Sequence, residues 1–506
     1  MDFERILLNF KNIDDKVSYA ATLPEKLVFD LCGKNTELNN TICLNEEYWK
    51  IRYLKNHKQP TTLPNSWKEL YLYKNINKAW SFGLNIFGQL GLGDLVNRTK
   101  PTQIPNIEAV KVACGDKHSL LIDMNNNVWS FGLNNTGQTG LRHGTSFIHI
   151  PTQIPTPSGI KAKQIACGGY HSVIIDMNNN VWSFGVNDYG QLGLGDTEDI
   201  NIPTPTQIMR PSGIKAKHVS CGAYHSILID MNNNVWSFGL NDFGGLGLGL
   251  ENGTSKNKPT QIFGIKAVHS ACGAYHSILI DTNNNAWSFG ANDMGQLGLG
   301  DFGMGTERNI PTQIQMPSGI KAKQSACGDV FSIIIDTNDH AWSFGSNRYG
   351  QLGVKNSGIG IHRSIPIKIP NINVEQISCG GNHSIIMDMN GDVWSFGNNY
   401  YGQLGLGDHG NGTNRNKPTQ IPDVKATQIS CGEYHSILIN YLFITFDEII
   451  ILFSNKQITK FEFEPQMQVY YKALQGIYVA TFTLDDETKK YGYVKYNSQT
   501  NQISTP

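Results

Sequence analysis

Charge is scarce in this chain. Asp, Glu, Lys and Arg make up 16% of its 506 residues, against roughly 25% in an average soluble domain. The 41 basic and 42 acidic residues nearly cancel, leaving a net charge of −1. Such a chain has no overall field with which to grip nucleic acid or an anionic membrane. Long apolar runs are also missing. The best candidate, Tyr441 to Phe453, carries Asp447 and Glu448 and falls short of the ~18 residues a membrane helix needs. The first residues, Met1-Asp2-Phe3-Glu4-Arg5, lack the basic start and apolar core of a secretory leader. The expectation is an intracellular protein of the cytoplasm or nucleus, whose nine cysteines stay reduced.

What the chain has in abundance is repetition. Trp-Ser-Phe-Gly occurs seven times, beginning at Trp80, Trp129, Trp182, Trp236, Trp287, Trp342 and Trp394, with spacings of 49 to 55 residues. Cys-Gly also occurs seven times, at Cys114, Cys167, Cys221, Cys272, Cys327, Cys379 and Cys431. Each Cys lies 15 residues before the next Trp, and each Trp lies 9 residues before the Gln position of Gly-Gln-Leu-Gly, which Gly245 fills once. That block admits no insertion. Length varies in two places: between the Gln position and Pro-Thr-Gln-Ile, and between that Pro and the next Cys, where the spacing is 13 or 16.

Rigid blocks with variable joints read as strands and loops. His225-Ser-Ile-Leu-Ile-Asp230 is apolar and β-branched, Met231-Asn-Asn-Asn234 tolerates left-handed turn conformations, and Val235-Trp-Ser-Phe-Gly239 returns. Together they form a hairpin. Pro205-Thr-Gln-Ile208 and Ile214-Lys-Ala-Lys-His-Val219 supply two more strands. Four short antiparallel strands per ~50 residues make a propeller blade. The fold class is therefore mainly β, a seven-bladed propeller over 77–440. Because the first unit lacks a Cys-Gly strand and the last lacks Trp-Ser-Phe-Gly, residues 434–440 are expected to pair with 78–83 and close the ring.

These motifs resemble the regulator-of-chromosome-condensation repeat family, whose hallmarks are Cys-Gly-x-x-His-Ser, a Trp-Gly-like strand and Asn-x-x-Gly-Gln-Leu-Gly. The likeness runs from about Trp80 to Asn440. It implies the propeller fold, and it leaves function open because members include a nucleotide-exchange factor for a small GTPase, a photoreceptor and ubiquitin-ligase components. The exchange factor's basic tail and wedge-like insertion have no counterpart here. Nor do the photoreceptor's clustered tryptophans.

The repeated residues have structural readings beside functional ones. His118, His171, His225, His276, His383 and His435 stand one per unit. Such spacing suits hydrogen bonds to the neighbouring blade better than a metal site. The cysteines lack fixed basic neighbours. Asp123-x-Asn125-x-Asn127 has Asn134 where a calcium loop needs Glu. Gly-Gln-Leu-Gly has no Lys-Ser/Thr after it, so it reads as a turn. No catalytic constellation, metal set or cofactor site is expected, and the protein is read as a non-enzyme. The variable loops all fall on one face and carry mixed charges, which suits a protein partner. Candidate contacts are Arg142, His143, Glu198, Asp199, Glu251 and Lys256, and further round the disc Glu307, Arg308, Lys355, Arg363, His409 and Arg415.

The flanks differ in composition. Residues 1–76 have helical spacing at Leu27, Val28, Leu31, Leu38 and Ile42. Leu31-Cys32, Asn35, Leu38, Ile42-Cys43 and Tyr48-Trp49-Lys50 resemble the second half of an F-box, which implies a cullin-ligase adaptor bound through Leu27, Leu31, Leu38, Ile42 and Trp49. The alternative is a small helical cap. Residues 441–506 read as a β-rich extension with a frayed end, with strands at 441–446, 449–453 and 491–496. The functional expectation is a protein-interaction module, the substrate-recognition subunit of a cullin-type ubiquitin ligase. The alternatives are a guanine-nucleotide exchange factor and a self-associating scaffold. The Asn- and Ile-rich usage fits an AT-rich genome, protist or viral.

Overall fold

The computed structural model describes residues 78–142, 146–155, 159–195, 201–209, 214–249, 253–358 and 360–440, with the backbone of four strands after residue 457. The helical and F-box-like expectation for 1–76, and the strands expected at 441–446 and 449–453, lie outside the described residues. The contacts group Asn77–Tyr441 into one compact unit and the two flanks into another. Among the described residues, the one helical segment is a 3-10 turn at Pro317–Gly319.

Each repeat folds as an antiparallel blade. In the fourth, Ala216–Cys221, His225–Asp230, Asn234–Gly239 and the start of Lys256–Cys272 pair in that order. The hairpin turn after His225–Asp230 uses its asparagines as the sequence requires: Asn233 has φ 67. Its aspartate organises the turn. Asp230 Oδ1 accepts the backbone N–H groups of Asn232 and Asn234, while Oδ2 accepts the Trp236 indole at 3.1 Å. The same indole–carboxylate bond recurs at Trp129, Trp182, Trp287, Trp342 and Trp394. Phenylalanine supplies the core. Phe82, Phe131, Phe184, Phe238, Phe289, Phe344 and Phe396 are all 0% exposed, and each packs between blades. Phe131, for example, sits with Ala109 of its own blade's inner strand and with Ile104, Ile437 and Ile439 of the closing blade.

The separate strands expected at 205–208 and 214–219 are present as Asn201–Gln207 and Ala216–Cys221. In three of the four joints with the 13-residue spacing the outer strand of one blade continues as the inner strand of the next, in Arg98–Cys114, Lys256–Cys272 and His362–Cys379; the fourth is divided into Arg415–Lys425 and Gln428–Cys431. A left-handed residue bends each continuous strand: Asn106 (φ 57), Gly264 (φ 83) and Asn371 (φ 60). The 16-residue spacing inserts Pro-Ser-Gly and breaks the strand, because Pro offers no N–H to a ladder.

The ring is closed by strands from its two ends. His435–Asn440 pairs with Lys78–Gly83 from Gly83↔His435 to Lys78↔Asn440. A second closure runs round the axis. A Cβ on Gly115 would lie 2.4 Å from the Gly168 carbonyl oxygen, and each following Cys-Gly glycine stands the same way to the next, until Gly432 meets the Gly115 oxygen at 2.4 Å. Seven glycines thus stack in a circle, each too close to the next to carry a side chain of its own.

After residue 457 the chain forms a four-stranded antiparallel meander, Ile458–Phe463, Ile477–Leu484, Lys489–Asn497 and Gln502–Ser504. The alternating segment 491–496 lies in its third strand. Gln502–Ser504 pairs as an edge strand, Lys495↔Ser504.

Two stability outcomes follow. Gly273→Ala drives a methyl into the His276 ring and the Gly328 oxygen at 2.2 and 2.5 Å; it should lower stability by about 2–3 kcal/mol or more, read from thermal unfolding. Gly245→Gln restores the side chain its sibling blades bury; it should raise stability by about 0.5–1 kcal/mol, read the same way.

Candidate functional site

The propeller has one face on which every Cys-Gly-x-x-His turn meets a Gly-Gln-Leu-Gly loop. The joint is a backbone bond repeated in all seven blades. Leu84, Leu133, Val186, Leu240, Ala291, Ser346 and Asn398 donate their N–H to the carbonyls of Tyr434, Lys117, Tyr170, Tyr224, Tyr275, Val330 and Asn382. Below this face lies a belt of buried histidines. His118 Nε2 reaches Ser172 Oγ of the next blade at 2.8 Å, and His171, His225, His276, His383 and His435 repeat the contact with Ser226, Ser277, Ser332, Ser436 and Ser119. Each of these serines already donates its hydroxyl to a carbonyl, Ser172 to Gln138 for example. The histidine must therefore donate from Nε2, and burial keeps the ring neutral. This is the inter-blade hydrogen bond expected for these residues. At Phe331, which takes the histidine's place, that link is absent. The thiols act similarly: Cys167 Sγ lies 3.5 Å from the Ala113 carbonyl, and burial pushes the Cys114 thiol up to about 12.

At the centre of the face the seven Cys-Gly segments enclose a cavity of about 80 Å³. The residue after each Cys-Gly points to its rim. Three of these are acidic, Asp116, Asp329 and Glu433, and four are small, Gly169, Ala223, Ala274 and Gly381. Burial pushes the Asp116 carboxyl up to about 7, with Glu433 and Asp329 adding to it. Burial and then Glu433 push Asp329 up to about 6. Aromatic rings surround the mouth. Tyr224 stacks on Tyr275 at 5.9 Å, Tyr189 and Phe243 meet them edge-on, and Tyr401 abuts Tyr434 at 5.2 Å. The Lys117 ammonium lies over Phe87 and Tyr170 at 5.8 and 5.7 Å.

The described loop residues singled out from the sequence are not among those lining the axial cavity. Arg308 and Arg415 are spent within their own loops on Asp301 and Asp408. Arg363 donates to the His362 carbonyl. Lys256 and Glu307 are half-buried, while Arg142, Lys355 and His409 are exposed. His143, Glu198, Asp199 and Glu251 lie outside the described residues, as do Leu27, Leu31, Leu38, Ile42 and Trp49. Sequence reasoning passed over the axial acids and the tyrosines. The signal was present in the two free positions of Cys-Gly-x-x-His, which read Asp-Lys, Gly-Tyr, Ala-Tyr, Ala-Tyr, Asp-Val, Gly-Asn and Glu-Tyr. Among the described residues, no group of three or more His, Cys, Asp or Glu is placed to hold a metal ion, and no helix is long and apolar enough to cross a membrane.

Seven blades, each sealed to the next by a histidine or its substitute and closed by a composite blade, define a repeat propeller. Seven stretches, from 77–122 to 390–439, match the family described as regulator of chromosome condensation (RCC1) repeat, and the chain belongs to that family. It is 32% identical over 337 residues to the Ultraviolet-B receptor UVR8 of Arabidopsis thaliana, covering 65% of this chain and 74% of that one. It is 30% identical over 311 residues to the human Probable E3 ubiquitin-protein ligase HERC6, where the match covers 60% of this chain and 30% of the relative. It is 35% identical over 226 residues to the Protein RCC2 homolog of Xenopus laevis, covering 38% of this chain and 42% of that relative. Among solved structures, Prp20p of Saccharomyces cerevisiae superposes with a TM-score of 0.66 at 22% identity, covering 76% of this chain and 97% of that one. That likeness concerns the fold.

The buried groups set a pH profile. Burial holds His118 down at about 3 and His225 at about 4, against about 6.5 when unfolded. The unfolded chain therefore takes up protons first, so their contribution is complete above pH 6.5 and is lost as pH falls toward 3. Asp116 and Asp329 act oppositely. Their folded values lie above the unfolded 3.8, so their cost is full above pH 7 and fades as pH drops through 7 and 6. The unfolding midpoint should peak near pH 6 and fall steeply below it. Asp116→Asn combined with Asp329→Asn should raise stability at pH 8, on the order of 1 kcal/mol after allowing for solvent screening, and leave the acid limb unchanged. Thermal scans from pH 4.5 to 8.5 check both.

Proposed function

We propose that the propeller is a protein-interaction module that takes its partner on the face built by the Cys-Gly-x-x-His turns and Gly-Gln-Leu-Gly loops. The observation that carries this is the concentration of solvent-facing aromatic surface there. Tyr189, Phe243 and Tyr400 are 42%, 38% and 49% exposed around the axial mouth. Clustered exposed aromatics mark contact surfaces, and Tyr is enriched where a few residues supply most of the binding energy. The outer loops, including Arg142, Lys355 and His409, would form the polar rim of the same contact.

The finer reading, a substrate-recognition subunit of a cullin-type ubiquitin ligase, draws support from the F-box-like pattern at Leu31, Leu38, Ile42 and Trp49. Similarity to a relative named as a probable ubiquitin-protein ligase bears only on the propeller. Nucleotide exchange on a small GTPase is the alternative, decided by timing nucleotide release with and without the protein.

Affinity purification with mass spectrometry tests the module. Tyr189→Ser with Phe243→Ser should reduce recovery of the main partner at least tenfold, as expected for the loss of interface anchors, while Lys161→Ala and Lys321→Ala, on the opposite turns, should leave it unchanged. Equal recovery in all variants would move the contact off this face. Loss of a cullin adaptor from the purified set on Leu38→Ala with Ile42→Ala would support the ligase link, and its absence from the wild-type set would remove it.

A further inference from the structure

We infer that the axial mouth of this face receives the cationic side chain of a lysine- or arginine-bearing segment of the partner protein. The inference deepens the module reading and rests on it. Its first ground is placement. The propeller brings three carboxylates from separate blades, Asp116, Asp329 and Glu433, to one cavity rim, and fills the intervening positions with Gly or Ala. The small residues are needed. A Cβ on Gly169 would lie 3.0 Å from Asp116 Oδ2, and one on Gly381 would lie 3.0 Å from Asp329 Oδ2. The carboxylates lean over their small neighbours, and the centre stays open.

The second ground is charge. Six acids stand at the inner positions of this face, the axial three with Asp188, Asp242 and Asp293, against Lys117 and Arg348, in a chain whose total is −1. Among the described residues no lysine or arginine forms an ion pair with the axial three. Burial first, and then repulsion from the neighbouring carboxylates, Glu433 foremost, make Asp116 and Asp329 bind protons more readily. A cation brought into the mouth would relieve that repulsion.

The third ground selects the kind of cation. The acids are not arranged to chelate a metal ion. Aromatic rings stand beyond the rim on the same face, and aromatic faces attract ammonium and guanidinium groups. The face already holds one ammonium in this way, since Lys117 sits between the Phe87 and Tyr170 rings and reaches the Tyr170 hydroxyl at 3.4 Å. Electrostatic complementarity of this sort gives specificity and speeds association.

The test uses the full chain at pH 8 and three fluorescein-labelled peptides of equal length, carrying three arginines, three lysines or three glutamates, read by fluorescence polarisation. The arginine and lysine peptides should bind and the glutamate peptide should not. Asp116→Asn, Asp329→Asn and Glu433→Gln combined should weaken the arginine peptide at least tenfold, with an unfolding midpoint no lower than wild type. If that variant does not fold, Glu433→Gln alone should weaken it at least threefold. Asp339→Asn, in the hairpin turn beside Lys321, should change nothing. Unchanged affinity in the axial variants, or no binding of either cationic peptide to wild type, overturns the inference. Tighter binding of free spermidine than of the arginine peptide would reassign the mouth to a polyamine and overturn it as well. Failure here is distinguishable from failure of the module. If partner recovery survives the axial variants but is lost with Tyr189→Ser and Phe243→Ser, the module stands and the cationic segment falls.

Discussion

The hydrogen bond from a buried histidine to the serine of the next blade is the constraint on which the rest of this propeller depends. A four-stranded blade has two apolar faces and cannot stand alone. What fixes its neighbour at the right angle is a polar contact that tolerates little error in distance. The imidazole donates from Nε2 to a hydroxyl that itself donates to a main-chain carbonyl, so three blade elements are tied by one side chain. The glycine that follows each cysteine belongs to this arrangement. A methyl there would strike both the imidazole and the next blade's backbone. Cysteine, glycine, histidine and serine recur together because they are parts of one joint.

The joint also explains which departures the chain tolerates. Phe331 fills the histidine's volume at 0% exposure and gives up the hydrogen bond, leaving Ser384 its bond to the Gln351 carbonyl. Thr139, where sibling blades have Leu, is fully buried and bonds Asn134 Oδ1 at 2.5 Å. The Phe331 exchange leaves no serine hydroxyl stranded, whereas in the Thr139 blade the buried Ser130 hydroxyl has no partner, although its siblings donate to the Leu carbonyl nine residues on, Ser81 to Leu90 for example.

Much of this was legible from spacing alone. The fixed distances from Cys to Trp and from Trp to Gln defined the hairpin and its loop. The incomplete first and last units pointed to the joint strand made by Lys78–Gly83 and His435–Asn440. The bond from Trp236 to Asp230 was less visible, since it joins residues six apart across a turn and nothing in a linear pattern marks it. The continuous strands such as Arg98–Cys114 were hidden for a related reason: whether Asn106 turns the chain or ends a strand depends on the next blade. The axial acids were the largest omission. Asp116, Asp329 and Glu433 are separated by more than a hundred residues from one to the next, and only the circular geometry makes them neighbours. Attention to insertions favoured the outer loops, where Arg308 and Arg415 turn out to brace their own backbones.

The composite blade has a bearing on how the protein is made. Its earliest strand, Lys78–Gly83, pairs on one side with Arg98–Cys114, but its other edge has no partner until roughly 350 further residues have been synthesised. At ribosomal speeds of about 5–20 residues per second, that wait lasts on the order of tens of seconds. Through that interval the nascent array is an open arc with an unpaired β edge at its leading end, the kind of edge that recruits other chains. Guarding that edge falls to whatever meets the chain as it leaves the ribosome, so yield in a cell should depend on chaperone supply more than the finished ring's stability would imply.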